Sequence, residues 1–198
     1  KTRAKIYYDV NDALVIKRSA ELFARDIQMV TGQKPELIQK RERAKALVIV
    51  GTIEKNQWIC ELAQKGKIDI RPLQGAWERY LIQTVDNPSP GVAKALVIAG
   101  SDRRGAAYGL FSISEMMGVS PWYWWGDVPV KTHKALYVDA PPTYSKTPSV
   151  KYRGIFLNDE DWGLKPWAAK TFEKERGNIG PRTYAKICEL LLRLKANH

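Results

Sequence analysis

Four polar residues, Asn158, Asp159, Glu160 and Asp161, end an apolar run and are followed by Trp162. Three of them are acidic. Like charges this close repel one another, and removal from water raises the pKa of a carboxyl group. Side chains kept in place at such a cost are disproportionately functional, so the sequence favours an active-site role for this cluster. A solvated acidic turn is the alternative, and this stretch alone does not decide between the two.

The residues before the cluster, 152–157, have the composition of a strand. The run is short and almost continuously apolar, which is typical of a strand buried on both faces in a parallel sheet. Side chains alternate across a strand, so Arg153, Ile155, Leu157 and Asp159 would share one face. We therefore expect Asp159, rather than Glu160, to point into a site at the end of this strand.

The last forty residues complete one β/α unit. A loop of about twenty residues, Asp161–Gly180, carries three aromatic side chains, and Pro181 then opens a helix at its first position. One face of this helix has the apolar series Tyr184, Ile187, Cys188, Leu191 and Leu194. A full (β/α)₈ barrel needs about 250 residues, and its active site forms where its strands end. We therefore expect residues 148–198 to be the truncated start of a catalytic barrel, and this chain to be a fragment.

Residues 1–147 read as an α/β layered accessory domain with a mixed sheet, because strand and helix patterns alternate. The predicted strands are Lys5–Tyr8, Pro35–Ile38, Ala46–Val50, Trp77–Val85 (antiparallel or edge), Ala95–Ala99 and Val130–Val138. The predicted helices are one that Asn11 or Asp12 caps and Gly32 closes, a short one at Asn56–Lys65, and one that runs to about Met117. A proline-rich connector, Asp139–Pro148, marks the boundary.

Two other motifs have a functional and a structural interpretation. Gly100–Gly105 resembles a phosphate-binding loop, but Ala106 and Ala107 stand where a Walker loop needs Lys and Ser or Thr, which favours a capped turn. The aromatic run Trp122–Trp125 suits the apolar faces of sugars, and this would make the chain a carbohydrate-binding module. Docking of one domain against the next is the slightly favoured alternative.

The composition excludes several classes of protein. The net charge is +11, but the basic residues are scattered among acidic ones without a nucleic-acid-binding motif, so we expect a solvated basic surface and no nucleic-acid partner. No apolar run approaches the roughly 20 residues that a membrane span needs. Two distant cysteines and two histidines predict buried free thiols and no metal site. Because the chain starts at Lys1, we expect a processed start and a signal peptide already removed.

The sequence resembles glycoside hydrolase family 115, the xylan α-glucuronidases. The resemblance rests on six segments that cover most of the chain, and the runs Pro121–Trp125 and Ile155–Trp162 are its specific parts. The segments are Ala46–Gly51, Trp77–Gly91, Leu96–Gly109, Gly118–Pro129, Arg153–Trp162 and Asn178–Asn197. The first domain is also similar to the small α/β domain that precedes the barrel in several glycosidase families.

The resemblance implies hydrolysis, with inversion and without a metal or cofactor, of the α-1,2 bond joining (4-O-methyl)glucuronic acid to xylan. It implies Asp159 and Glu160 as catalytic carboxylates, with Arg153, Asn158, Asp161 and Trp162 as substrate ligands. Glucuronoxylan would be the partner, in a secreted or periplasmic protein. Inversion requires an acid and a base about 6.5–9.5 Å apart, so further catalytic groups must come from other strands. We therefore expect the chain alone to be inactive.

Overall fold

The computed structural model describes residues 4–198. The chain divides into two compact units, the first ending at Ser149 and the second spanning Val150–His198. The first unit contains all of the β-sheet. That the second unit begins a barrel remains a prediction.

A six-stranded mixed sheet forms the centre of the first unit. Its strands are β1 (Lys5–Tyr8), β2 (Glu36–Ile38), β3 (Leu47–Thr52), β4 (Tyr80–Ser89), β5 (Val92–Gly100) and β6 (Thr143–Tyr144). They lie in the order β2-β1-β3-β5-β4-β6. The first four strands of that order pair in parallel, whereas β4 runs antiparallel to both β5 and β6. The mixed α/β sheet predicted from the sequence is confirmed.

Helices cover both faces of this sheet. Helices α1 (Leu14–Thr31) and α3 (Arg103–Met116) pack on one face, where Phe23 and Leu110 are fully buried. Helix α2 (Gln57–Gln64) packs on the other face through Trp58 and Leu62. This cover explains why β3 and β5 are apolar along nearly their whole length. Among residues 4–198, no helix is both long and apolar enough to cross a membrane.

Local signals placed most helix ends correctly, with one exception. Gly32 adopts a left-handed conformation after α1, and the Asn56 side chain accepts a hydrogen bond from the Ile59 N–H at the start of α2. The expected cap of α1 by Asn11 or Asp12 is wrong. The carboxylate of Asp12 instead accepts hydrogen bonds from the backbone N–H and hydroxyl of Thr52, and thus ties the start of α1 to the end of β3.

The strand expected at Val130–Val138 is also wrong. These residues have no regular secondary structure and are mostly exposed, with the His133 N–H donating to the Val30 carbonyl. The outer edge of β4 is occupied instead by β6 and by Ala140, whose N–H and carbonyl both bond to Thr84. This segment therefore forms no strand, because other residues take the edge of β4 that it would need.

Helix α3 approaches the sheet so closely that its first turn requires glycine. A Cβ atom on Gly105 would lie 2.2 Å from the Arg79 carbonyl oxygen. The Asp102 carboxylate accepts hydrogen bonds from the N–H groups of Arg104 and Gly105. The Gly100–Gly105 loop is thus a capped turn, as the sequence favoured.

We expect Gly105→Ala to lower the free energy of unfolding by about 1–3 kcal/mol, because the methyl group must displace backbone. Alanine is otherwise the better helix former by up to about 1 kcal/mol. Urea unfolding followed by tryptophan fluorescence measures the change. Glu115→Ala, at an exposed position of the same helix, is the control and should change stability by less than about 0.5 kcal/mol. A neutral or stabilising Gly105→Ala would contradict this packing.

Candidate active site

The candidate site lies in the second unit, which contains α4 (Leu164–Trp167), a π-helical turn (Ala168–Phe172) and α5 (Pro181–Arg193). The expected strand at residues 153–157 is not formed, because none of the residues from 4 to 198 pairs with it in a sheet. Ile155 and Phe156 are 44% and 88% exposed. The prediction of a buried strand rested on composition alone, and composition does not supply a hydrogen-bonding neighbour.

Arg153, expected to contact sugar, lies among backbone groups at the end of α5. Its guanidinium donates to the carbonyl oxygens of Lys195 and Val150, each at 2.9 Å. Its N–H donates to the Asn197 side chain, and its carbonyl accepts from the N–H groups of Asn197 and His198. Arg153 therefore anchors the end of the chain to the start of the second unit. Its contact with a sugar remains a prediction.

The two candidate catalytic carboxylates have different surroundings. Asp159 is half-buried and accepts a short hydrogen bond from the Tyr184 hydroxyl on α5. That hydrogen bond, together with partial burial and the negative charge of Asp159, raises the pKa of Tyr184. Glu160 is exposed. The hydrogen bond to Tyr184 thus distinguishes Asp159 from Glu160, and the catalytic role of either residue remains a prediction.

The three remaining predicted residues surround Asp159 in sequence. The Asn158 carbonyl accepts from the Leu164 N–H at 2.8 Å and closes the turn before α4. Asp161 accepts from the Lys165 ammonium at 2.6 Å, and this hydrogen bond lowers the pKa of Asp161. Trp162 is 88% exposed. Their roles as sugar ligands remain predictions.

Glu173, which was not among the residues predicted from the sequence, caps the start of α5. Its buried carboxylate accepts hydrogen bonds from the N–H groups of Gly180, Arg182 and Thr183 and from the Thr183 hydroxyl. Burial by itself would raise the pKa of Glu173, but these hydrogen bonds outweigh it and hold the pKa below its ordinary value. The sequence carried a hint of this cap. Helix α5 starts at Pro181 after Gly180, neither of which has a capping side chain, so a capping group must come from another segment.

The apolar face predicted for α5 is only partly covered. Ile187 is buried, whereas Tyr184 and Leu194 are 40% and 37% exposed. The charged residues Glu189 and Arg193 are buried instead. The Glu189 carboxylate accepts hydrogen bonds from Arg193 at 3.0 Å and from Lys186 at 3.1 Å. The expectation that all five apolar residues face a core is therefore wrong for this chain.

The composition predicted buried free thiols and no metal site. Cys60 and Cys188 are free, as expected, but Cys60 is only half-buried and Cys188 is exposed. Within residues 4–198, no three His, Cys, Asp or Glu side chains cluster as metal ligands.

The aromatic run of the first unit forms a turn whose rings point in different directions. Tyr123 packs against the core, and its hydroxyl accepts from Arg25 at 2.8 Å. Trp124 and Trp125 contact each other edge to face at 4.7 Å, and Trp122 is 46% exposed. Trp122 does not share the core that Tyr123 contacts, in line with the expectation that four neighbouring rings cannot all face one core. Sugar binding and domain docking both remain predictions.

Comparison with known proteins defines the class to which this arrangement belongs. The model of glycosyl hydrolase family 115 matches residues 145–198, which include the entire second unit. Over its whole length the chain is similar to BtGH115A, described as a family GH115 4-O-methyl-α-glucuronidase with specificity for decorated arabinogalactans. The two share 37% identity with a TM-score of 0.81, and the match covers 25% of that protein.

The chain therefore belongs to glycoside hydrolase family 115, and the resemblance inferred from its motifs is confirmed. It spans a quarter of the length of BtGH115A. The structure of CpGH84D shares the fold alone, with 11% identity, a TM-score of 0.52 and coverage of 100% of this chain and 33% of that one. A search of curated protein sequences gave no significant match.

The Glu173 cap makes α5 sensitive to pH. A lowered pKa in the folded state stabilises the fold above the unfolded pKa, and this stabilisation is lost as the pH falls through the folded value. We expect Glu173→Gln to increase hydrogen exchange at Thr183 and Tyr184 about tenfold at neutral pH, the effect of losing a cap. The wild type should lose this protection in acid. The control is Glu175→Gln, since Glu175 is an exposed carboxylate that pairs with Arg182. Equal effects of the two substitutions would contradict the capping role of Glu173.

The bond between Tyr184 and Asp159 can be tested by titration. Asp159→Asn removes the negative acceptor, so the pKa of Tyr184 should fall toward its ordinary value. Asp161→Asn removes an exposed carboxylate two residues away and should leave that pKa unchanged. NMR titration of the tyrosine ring resonances measures both, and an unshifted Tyr184 in Asp159→Asn would show that the pair does not form.

Proposed function

We propose that this chain is one part of a longer family 115 enzyme that removes glucuronic or 4-O-methylglucuronic acid from a decorated polysaccharide, glucuronoxylan in the first instance. The observation that carries this proposal is the 37% identity with a 4-O-methyl-α-glucuronidase along the full 198 residues. The enzyme acts outside the cytoplasm, where plant polysaccharides are found.

The hydrolysis proceeds with inversion at the anomeric carbon. One carboxylic acid protonates the leaving oxygen, while a carboxylate on the opposite face of the sugar ring activates water. Asp159 suits one active-site carboxylate, because Tyr184 fixes its position. Asp159 and Glu160 are adjacent in sequence, so the second group comes from another strand. The chain by itself is consequently inactive.

Exposed apolar side chains on the second unit support the proposal that this unit begins a barrel. Phe156, Ile155, Tyr184 and Leu194 are all exposed, on the segment and helix that a (β/α)₈ barrel would cover. Exposed apolar groups of this kind mark surfaces that meet other protein. Adjacent strands of a barrel would pair with residues 153–157 and bury these side chains.

An assay on aldouronic acids tests the proposed function. The intact enzyme should release (4-O-methyl)glucuronic acid, with the β-anomer appearing first in ¹H NMR spectra, whereas residues 1–198 alone should release none. Asp159→Asn in the intact enzyme should lower kcat by roughly 10²–10⁴-fold, as expected for loss of an acid–base group. Asp86→Asn, on the exposed surface of the first unit, is the control.

Each outcome of this assay has a definite meaning. An α-anomer formed first would contradict inversion, and robust turnover by residues 1–198 would contradict the division of the catalytic groups. An intact enzyme unaffected by Asp159→Asn would leave this region as an accessory part without a catalytic carboxylate.

A further inference from the structure

A basic groove of about 740 Å³ opens on the first unit, far in sequence from the candidate catalytic residues. Its charged lining consists of Arg43 and Lys45 before β3 and of Lys65 and Lys67 after α2. The β4–β5 turn, residues 87–91, forms the rest of the wall. Among residues 4–198, no carboxylate lines the groove. A volume of this size is typical of a ligand site.

Neighbouring carboxylates make their shortest contacts with cations outside the groove. Glu61 accepts two hydrogen bonds from Arg41, at 2.6 and 2.8 Å, and lies 3.9 Å from the ammonium of Lys65. Glu42 is paired with Lys5. Within residues 4–198, no carboxylate forms an ion pair with Arg43, Lys45 or Lys67. The positive charge of the groove is therefore largely uncompensated.

The backbone that carries these cations is fixed to the sheet. Ala44 forms an isolated parallel bridge with Val92, and its N–H donates to the Gly91 carbonyl. The Lys67 carbonyl accepts from the Gln83 side chain at 3.1 Å, which holds the α2 end against β4. Two segments distant in sequence, residues 43–45 and 65–67, thus present four cations beside the β4–β5 turn. Such an arrangement lowers the conformational cost of binding a ligand.

The lining also indicates which polyanion fits. None of the groove residues is aromatic, whereas single-stranded nucleic acids are bound by stacking bases on aromatic rings. Neutral sugars also rely on such rings for their apolar faces. A sugar polymer with carboxylates needs only cations for the acid groups and polar backbone for the hydroxyls, and the groove offers both.

We infer that this groove is a non-catalytic binding site for an acidic polysaccharide, recognised through its uronate carboxylates. The inference rests on the proposed function for the identity of the polymer. Lys and Arg ammonium and guanidinium groups pair with the uronates of undigested side groups, and the groove retains the enzyme on decorated regions of its substrate.

Binding of residues 1–198 to glucuronoxylan, measured by affinity electrophoresis and calorimetry, tests this site. Two further probes are the same polymer after reduction of its carboxyl groups, and single-stranded DNA. The variant Lys65→Glu/Lys67→Glu should bind glucuronoxylan about tenfold more weakly, the combined effect of reversing two exposed charges. Lys55→Glu/Lys131→Glu makes the same change in net charge at exposed positions outside the groove and should bind within about twofold of wild type. Circular dichroism verifies that both variants fold.

Three results would overturn the inference: no binding of glucuronoxylan, equal binding of the carboxyl-reduced polymer, or equal loss in the two variants. Tighter binding of DNA that depends on Lys65 and Lys67 would assign the groove to nucleic acid instead. Failure here is distinct from failure of the proposed function. An intact enzyme that releases glucuronic acid without groove binding refutes the groove alone, and groove binding without release refutes the enzyme alone.

Discussion

A strandless segment joined to a few helical turns exposes more apolar surface than it can bury by itself, and this constraint governs the second unit of the chain. Its extended segment has no partner strand among residues 4–198, so Phe156 remains almost fully exposed. Helix α5 likewise leaves Tyr184 and Leu194 partly exposed. Local hydrogen bonds by Arg153 and Glu173 nonetheless hold the segment and the helix in a defined arrangement. Polar contacts and a small core that includes Ile187 and Leu190 order the unit, while Phe156, Tyr184 and Leu194 lack full cover.

The first unit buries its apolar surface within itself. Its sheet has helices on both faces, and its outermost strands β2 and β6 are only three and two residues long. Short edge strands limit unwanted pairing with other chains. Burial of Trp58 and Phe23 on opposite faces shows that each layer has its own core. A sheet covered in this way can hold the segments that line the groove in fixed positions.

Periodicity and capping residues predicted most of the first unit, because these signals act within a few residues. The stripe of α1 and the left-handed Gly32 follow directly from helical geometry. What failed depended on distant partners. Asp12 bonds to Thr52 instead of capping α1, and Val130–Val138 loses the edge of β4 to Ala140 and β6. Local sequence does not record such competition between segments.

The predictions for the candidate site also depended on partners that are distant in sequence. Strand alternation suggested Asp159 over Glu160, and the bond to Tyr184 distinguishes the same residue, although the strand itself is absent from this chain. The burial of Glu189 with Arg193 departs from the apolar face predicted for α5, although Ile187 of that face is buried. The family motifs identified the family, which residue-level reasoning alone could not supply.

Amide hydrogen exchange of Gly154–Leu157, compared between residues 1–198 and the intact enzyme, tests the central claim most directly. The account predicts rapid exchange in the chain alone and at least about a thousandfold slower exchange in the intact enzyme, where adjacent barrel strands would pair with these amides. Equally rapid exchange in both would show that the segment never joins a sheet, and would contradict the assignment of the second unit to a catalytic barrel.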